Sequence, residues 1–266
     1  MMRHVGDLNV TGASAPPNYI QPGGFQLENV TLNNKTSVQL TTGGVISSTK
    51  LDDGTNTVVD VPDGLQAEAD SEDSLLKGTW GPSSWFYMGI MSHSRGLNSP
   101  KLVYVQEGNS ITDTDLDSGY DSFVALSIPG AISGWVLTDG NGDLFSGEWT
   151  TNGWFLPSQN MRDDTVLNTT NPATTPTAID CSRHIPPTEV EAVIGCFVND
   201  GTRLVLHHNT DFTAGPPHGQ FAILVPGSNA QGVGNISGIK NQTLYYSTDI
   251  EQDTIAVRNA TKWRVE

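Results

Sequence analysis

Apolar residues in this 266-residue chain recur at every second position over short runs, and nowhere keep a helix's three-to-four spacing for ten residues. Phe25-Gln26-Leu27, Val38-Gln39-Leu40 and Thr57-Val58-Val59-Asp60-Val61 show the alternation, and the last run stops at Pro62. Trp85-Phe86-Tyr87-Met88-Gly89-Ile90-Met91 is the most apolar stretch and has the length and aromatic content of a buried central strand. Leu102-Val103-Tyr104-Val105 is expected to pair with it. Phe123–Leu126 and Gly134–Leu137 follow as further strands. Asp139-Gly140-Asn141-Gly142-Asp143 predicts a hairpin turn leading into Leu144-Phe145, and Asn152-Gly153 predicts a second between Trp149 and Trp154. Beyond residue 179 the expected strands are Val190–Val198, Leu204–His207, Phe221–Val225, Leu244–Tyr246, Ile255–Val257 and Trp263–Val265. Thr188–Ala192, after Pro186-Pro187, is the one place that could wind a helical turn.

Composition supports the same reading. With 28 Gly, 15 Pro and only 13 Lys plus Arg, helix formers are too thin for a long helix. The expected fold class is all-β, as two β-sandwich-like domains with an extended N-terminal arm. Residues 1–24 form the arm, 25–156 the first module, 157–178 a linker rich in Asn, Thr and Pro, and 179–266 the second module. Residues 63–78 read as an acidic loop. A hydrophobic share of 36% is low, which fits thin sandwiches or subunits that share a core.

The formal charge of -16 repels phosphate backbones and argues against nucleic acid as partner. No apolar run reaches the roughly 18 residues that span a bilayer, so no membrane insertion is expected. Cys181 and Cys196 are no disulfide framework; buried thiols are the default, and a single bridge stays open.

Candidate chemistry is sparse. Asp113, Asp115 and Asp117 alternate like calcium ligands, but Ser118 and Val124 stand where an EF-hand needs Gly and Glu. Asp139, Asn141 and Asp143 also alternate, yet a turn accounts for them. His207, His208, Asp211 and His218 form the one histidine cluster, although adjacent histidines on a strand face opposite ways. Glu68, Asp70, Glu72 and Asp73 read as a solvated loop. No Gly-x-Ser-x-Gly elbow and no phosphate-binding glycine loop occurs. The expectation is a non-enzyme with no catalytic, cofactor or metal residues. Trp80, Trp85, Trp135, Trp149, Trp154 and Trp263 could stack on sugars, with core packing as the plainer role.

Two stretches resemble a known family. Tyr19-Ile20, Gly23-Gly24-Phe25, Leu27 and Asn29, with Val38, Leu40 and Gly43-Gly44 and the later Trp85 strand, are similar to a β module of tailed-bacteriophage virion proteins. Ile179-Asp180-Cys181-Ser182-Arg183-His184-Ile185-Pro186-Pro187-Thr188-Glu189-Val190-Glu191-Ala192 resembles the opening of the neighbouring module in such proteins. Gly119-Tyr120 and Gly134-Trp135-Val136 fit the same pattern. Glu189 departs from it, where a small residue is usual. The resemblance implies a non-enzymatic structural protein of the phage particle surface. A tail-associated appendage (fibre, spike or adaptor) leads, with a capsid decoration or head fibre protein as alternative. A carbohydrate-binding receptor-recognition module is the third reading. The implied partners are other virion proteins, reached through the arm, further copies in a homotrimer, and a host surface glycan.

Overall fold

The computed structural model of the chain describes residues 25–52, 54–93, 95–158, 165–199, 203–210, 222–224, 230–249 and 254–266. The arm expected at 1–24 lies outside them.

The described residues form strands, one 3-10 turn at Asp113–Asp115, and no α-helix. In chain order the strands of the first half are β1 (Gln26–Leu32), β2 (Lys35–Thr42), β3 (Gly44–Lys50), β4 (Asn56–Val61), β5 (Leu65–Ala67), β6 (Leu75–Lys77), β7 (Trp85–Ser92) and β8 (Lys101–Gln106). They continue with β9 (Ser122–Ala125), β10 (Ser127–Ile128), β11 (Ile132–Ser133), β12 (Trp135–Leu137), β13 (Gly147–Trp149) and β14 (Phe155–Pro157). The remainder are β15 (Thr165–Thr169), β16 (Thr177–Asp180), β17 (Val190–Val198), β18 (Arg203–His207), β19 (Ala222–Leu224), β20 (Ala230–Ile239), β21 (Thr243–Thr248) and β22 (Ile255–Val265).

The all-β class is as expected. A nine-stranded sheet runs β20-β17-β22-β14-β13-β1-β2-β5, with β15 also on β22. A seven-stranded sheet runs β4-β3-β9-β7-β8-β6, with β12 on β7, and a four-stranded sheet runs β16-β21-β18-β19. All pairs are antiparallel except β6 with β8. Gly142 and Gly153 take positive φ in the expected turns; Asn33 and Asn34 do so between β1 and β2, and Asn241-Gln242 between β20 and β21, two turns not among those expected from the sequence.

The sheet topology runs across the segment 157–178. The nine-stranded sheet takes strands from both halves, joined where Phe155 of β14 faces Trp263 of β22. The segment expected as a linker carries β15 and β16. Thr165-Val166-Leu167-Asn168-Thr169 reads as polar, but its threonines and Val166 suit an outer strand, and it pairs with β22 across a bulge. The 63–78 loop contains the short β5 and β6. Thr188–Ala192 does not wind: Val190 begins β17, whose backbone pairs with β20 on one side and β22 on the other.

The inward faces share one core. At its centre Trp263 of β22 meets Trp85 of β7 edge-on at 6.2 Å and Phe155 of β14 at 5.1 Å, while Trp85 meets Trp135 at 6.5 Å. Buried donors find partners across the layers: Trp149 Nε1 donates to the Ser133 carbonyl (2.8 Å), and the Val265 amide donates to Ser133 Oγ (3.0 Å). The four-stranded sheet adds Ile179, Leu204, Leu206, Leu244 and Tyr246 to the same core.

Candidate functional site

Three of the acidic positions singled out in the sequence, Asp70, Asp115 and Asp117, are paired with lysines. Lys77 Nζ lies 2.7 Å from Asp115 Oδ2, Lys101 Nζ 2.9 Å from Asp117 Oδ2, and Lys35 Nζ 2.6 Å from Asp70 Oδ2. The lysine bond, with the Thr112 hydroxyl and amide, holds the Asp115 carboxyl down at about 2. Asp139 Oδ1 accepts the Asn141 and Asp143 amides (2.7 and 3.0 Å), which makes it a turn-former. Among the described residues no group of three acidic, histidine or cysteine side chains could hold a metal. His207 and His208 stack with centroids 4.4 Å apart, against the expectation that they face opposite ways. His208 lies just past the end of β18, where strand alternation no longer applies. Asp211 and His218 lie outside the described residues.

Cys181 and Cys196 are free and buried. Their thiols donate to different carbonyls, Ile179 (3.8 Å) and Gly232 (3.7 Å), and burial pushes both up to about 12. Neither thiol should therefore react with Ellman's reagent at pH 8 in the folded protein, while both react in urea. Prompt labelling of the native protein would show that the strands carrying them open readily.

The Ile179–Thr188 segment proves to be a structural tie. Asp180 Oδ1 accepts the Ser182 amide (2.8 Å), which lowers the Asp180 carboxyl, and the Ser182 carbonyl receives Trp85 Nε1 (2.6 Å). Gln242 Nε2 donates to the Ile185 carbonyl (2.8 Å). A shallow concavity of about 330 Å3 beside it is lined by Thr165, Val166, Asp180, Ser182, Arg183 and His184.

Of the tryptophans, Trp85, Trp135, Trp149 and Trp263 are buried and Trp80 stacks on Phe86, so these five pack the protein rather than face a ligand. Trp154, partly exposed like Trp80, stands on the outer face of the nine-stranded sheet, with Lys262 Nζ 4.3 Å and the Arg264 guanidinium 4.9 Å from its ring centroid.

The feature that sequence reasoning missed is apolar and lies on sheet edges. Among the described residues the exposed large hydrophobic side chains are Val58 (62%), Leu97 (70%) and Val233 (65%). Val58 is on β4, the outermost strand of the seven-stranded sheet, and Val233 is on β20, the outermost strand of the nine-stranded sheet. Val58 and Leu97 flank one concavity of about 430 Å3, between β4 and the 92–100 segment. That segment is fixed from behind: Asn98 Nδ2 donates to the Gly119 carbonyl (2.8 Å) and Tyr120 Oη to the Ser99 carbonyl (3.1 Å). The alternation in Thr57–Val61 was the available signal, because only Val59 and Val61 can face the core if Val58 faces out.

Compared with known proteins, the chain matches no protein-family model and no curated sequence.

Proposed function

We propose that this chain is a non-enzymatic structural component of a bacteriophage virion, a tail-associated appendage that assembles as a homotrimer on the particle surface. The observation that carries the assembly reading is the placement of Val58 and Val233 on the outermost strands of two sheets, with Leu97 beside Val58. Outer strands of monomeric proteins are commonly guarded by charge or proline. Exposed apolar side chains there suit a surface covered by another chain. Because the two edges differ, contact of one with the other on the next copy is heterologous, and three such contacts close a ring. The phage setting rests on the resemblance of residues 19–44 and 179–192. Residues 1–24 serve in this reading as the segment that attaches to other virion proteins.

Light scattering of the purified protein should give three times the 28.5 kDa chain mass. Val58→Asp with Val233→Asp, which sets like charges against each other across every such contact, should give the single-chain mass with an unchanged circular dichroism spectrum. Antibody against the chain should label one end of intact phage particles. A monomer at tens of micromolar would sink the trimer, and unlabelled particles would sink the virion assignment.

A further inference from the structure

Copies of a chain with 29 acidic and 13 basic residues repel one another. A contact between copies therefore gains from an uncommitted cation on one side and an acid on the other. The two apolar edges differ in just this respect. On β4 the side chains of Asn56, Val58 and Asp60 are exposed, while Val59 and Val61 turn inward. Asp60 is the one acidic residue lining the concavity that Val58 and Leu97 flank. Asp52, Asp70, Asp115 and Asp117 each have a lysine within 2.6–3.2 Å, whereas Asp60 has no ion-pair partner among the described residues. His93 also lines the concavity, and its Nδ1 accepts the Arg95 amide (3.0 Å). Arg95 is exposed on the same segment, outside the lining.

The other edge presents a base. Val233 of β20 lies opposite Gly195 of β17, and a Cβ on Gly195 would lie 3.7 Å from Arg258 Cβ of β22. Val233, Gly195 and Arg258 thus form one row on the outer face of the sheet. Because Gly195 has no side chain, nothing stands between Val233 and Arg258, about 10 Å apart at two strand spacings. Val193 and Phe197 flank Gly195 along β17 and are half-buried, so the surround is apolar. The exposed β20 residues Gln231, Asn235 and Ser237 carry no charge. Arg258 is exposed and has no carboxylate partner among the described residues.

The remaining charges of this face are placed elsewhere or already engaged. Lys262 and Arg264 lie over the Trp154 ring. Glu191 accepts from Arg264 Nε and from Asn235 Nδ2. Glu148 faces Glu28 on one side and Leu156 on the other, which puts it at the level of Lys262, two strands beyond β22 and four positions along it from Arg258.

This distribution discriminates between ways of joining two copies. The β4 surface set against itself brings Asp60 toward Asp60. The β20 surface set against itself brings Arg258 toward Arg258. Only β4 against β20 sets a carboxylate against a guanidinium, and that pairing is both attractive and geometrically specific. We propose that Asp60 of one copy pairs with Arg258 of the next across the Val58–Val233 contact, and that this pair selects the head-to-tail contact that can close a ring over the two-fold contact that would stop at a dimer. The pair rests on the assembly reading and gives its contact a direction.

A charge exchange tests it, read by light scattering of the full chain with circular dichroism alongside. Asp60→Arg and Arg258→Asp should each weaken association by about a hundredfold, giving the single-chain mass where the wild type has the three-chain mass. Asp60→Arg combined with Arg258→Asp restores opposite charges across the contact and should restore the three-chain mass. All three variants should keep the wild-type circular dichroism spectrum, since both side chains are exposed. A three-chain mass in both single variants would overturn the pair and leave the assembly reading standing. A single-chain mass in the combined variant would also overturn it, because each position would then matter by itself and not through the other. A single-chain mass for the wild type would remove the assembly reading and the pair together.

Discussion

Trp263→Ala should lower the unfolding free energy by about 3–5 kcal/mol, the cost of emptying a large aromatic site in a packed core. Trp263 is fully buried and meets both Trp85 of the facing sheet and Phe155 of its neighbouring strand. The cavity left would open where the two large sheets press together and where the strands of the two halves of the chain join. Against a typical total of about 5–15 kcal/mol, such a loss leaves many domains barely folded at 37 °C. Trp263→Phe gives the contrast. The indole Nε1 is buried without a hydrogen-bond partner among the described residues, a state that itself costs about 1–3 kcal/mol. Phenylalanine removes that N–H along with some volume, so its net loss should be far smaller. Urea denaturation of the two variants reads both values. If Trp263→Ala unfolds at the wild-type midpoint, the layers do not depend on this cluster.

The strands and the division of the chain were not equally legible. Runs such as Trp85–Met91 and Val190–Val198 were readable because a strand buried on both faces is apolar at consecutive positions, and no polar partner obscures it. The Asn-Gly turns were readable because few residues take positive φ. β20 was not readable: Gly232, Gly234 and Gly238 dilute its alternation, and its order comes from the eight cross-strand positions it shares with β17. Ile255–Val257 and Trp263–Val265 looked like two strands because Arg258, Asn259 and Lys262 separate them, yet β22 runs through as one strand. Asn259 is wholly buried, a placement that hydropathy alone argues against.

The candidate surfaces were legible only in part. Trp154 was named among the tryptophans, but Trp149 beside it, equally aromatic in sequence, turns inward at the next strand. The cations that frame Trp154 come from residues 262 and 264, more than a hundred positions away. Only the Phe155–Trp263 register brings them to the ring. The expected division at 157–178 hid that register, since it assigned the two strands to different modules.

Gly43→Ala should be nearly as damaging as the loss of Trp263, by an opposite mechanism. Gly43 is the single residue between β2, in the nine-stranded sheet, and β3, in the seven-stranded sheet. The chain crosses between layers there, and its amide is held by Asp63 Oδ1 at 2.6 Å. A Cβ at this position would lie 2.0 Å from the Val61 carbonyl oxygen and 2.7 Å from the Pro62 carbonyl carbon. Both obstacles are backbone, and neither can rotate away. The corner must open instead, which pulls apart the adjacent Gly44–Val61 and Val45–Asp60 pairs that seat β4. Overpacking a core costs about 1–3 kcal/mol when side chains absorb it, and the upper end or beyond is expected where backbone must move. Gly140→Ala is the matching control, because nothing lies within 4 Å of its added Cβ and its φ is not positive; its effect should stay within about 0.5 kcal/mol. Gly43→Ala should also perturb the Val58 edge, so an assembly built on β4 should weaken together with the fold. Equal urea midpoints for Gly43→Ala and Gly140→Ala would show that the crossover between the two sheets tolerates a side chain and is looser than this geometry requires.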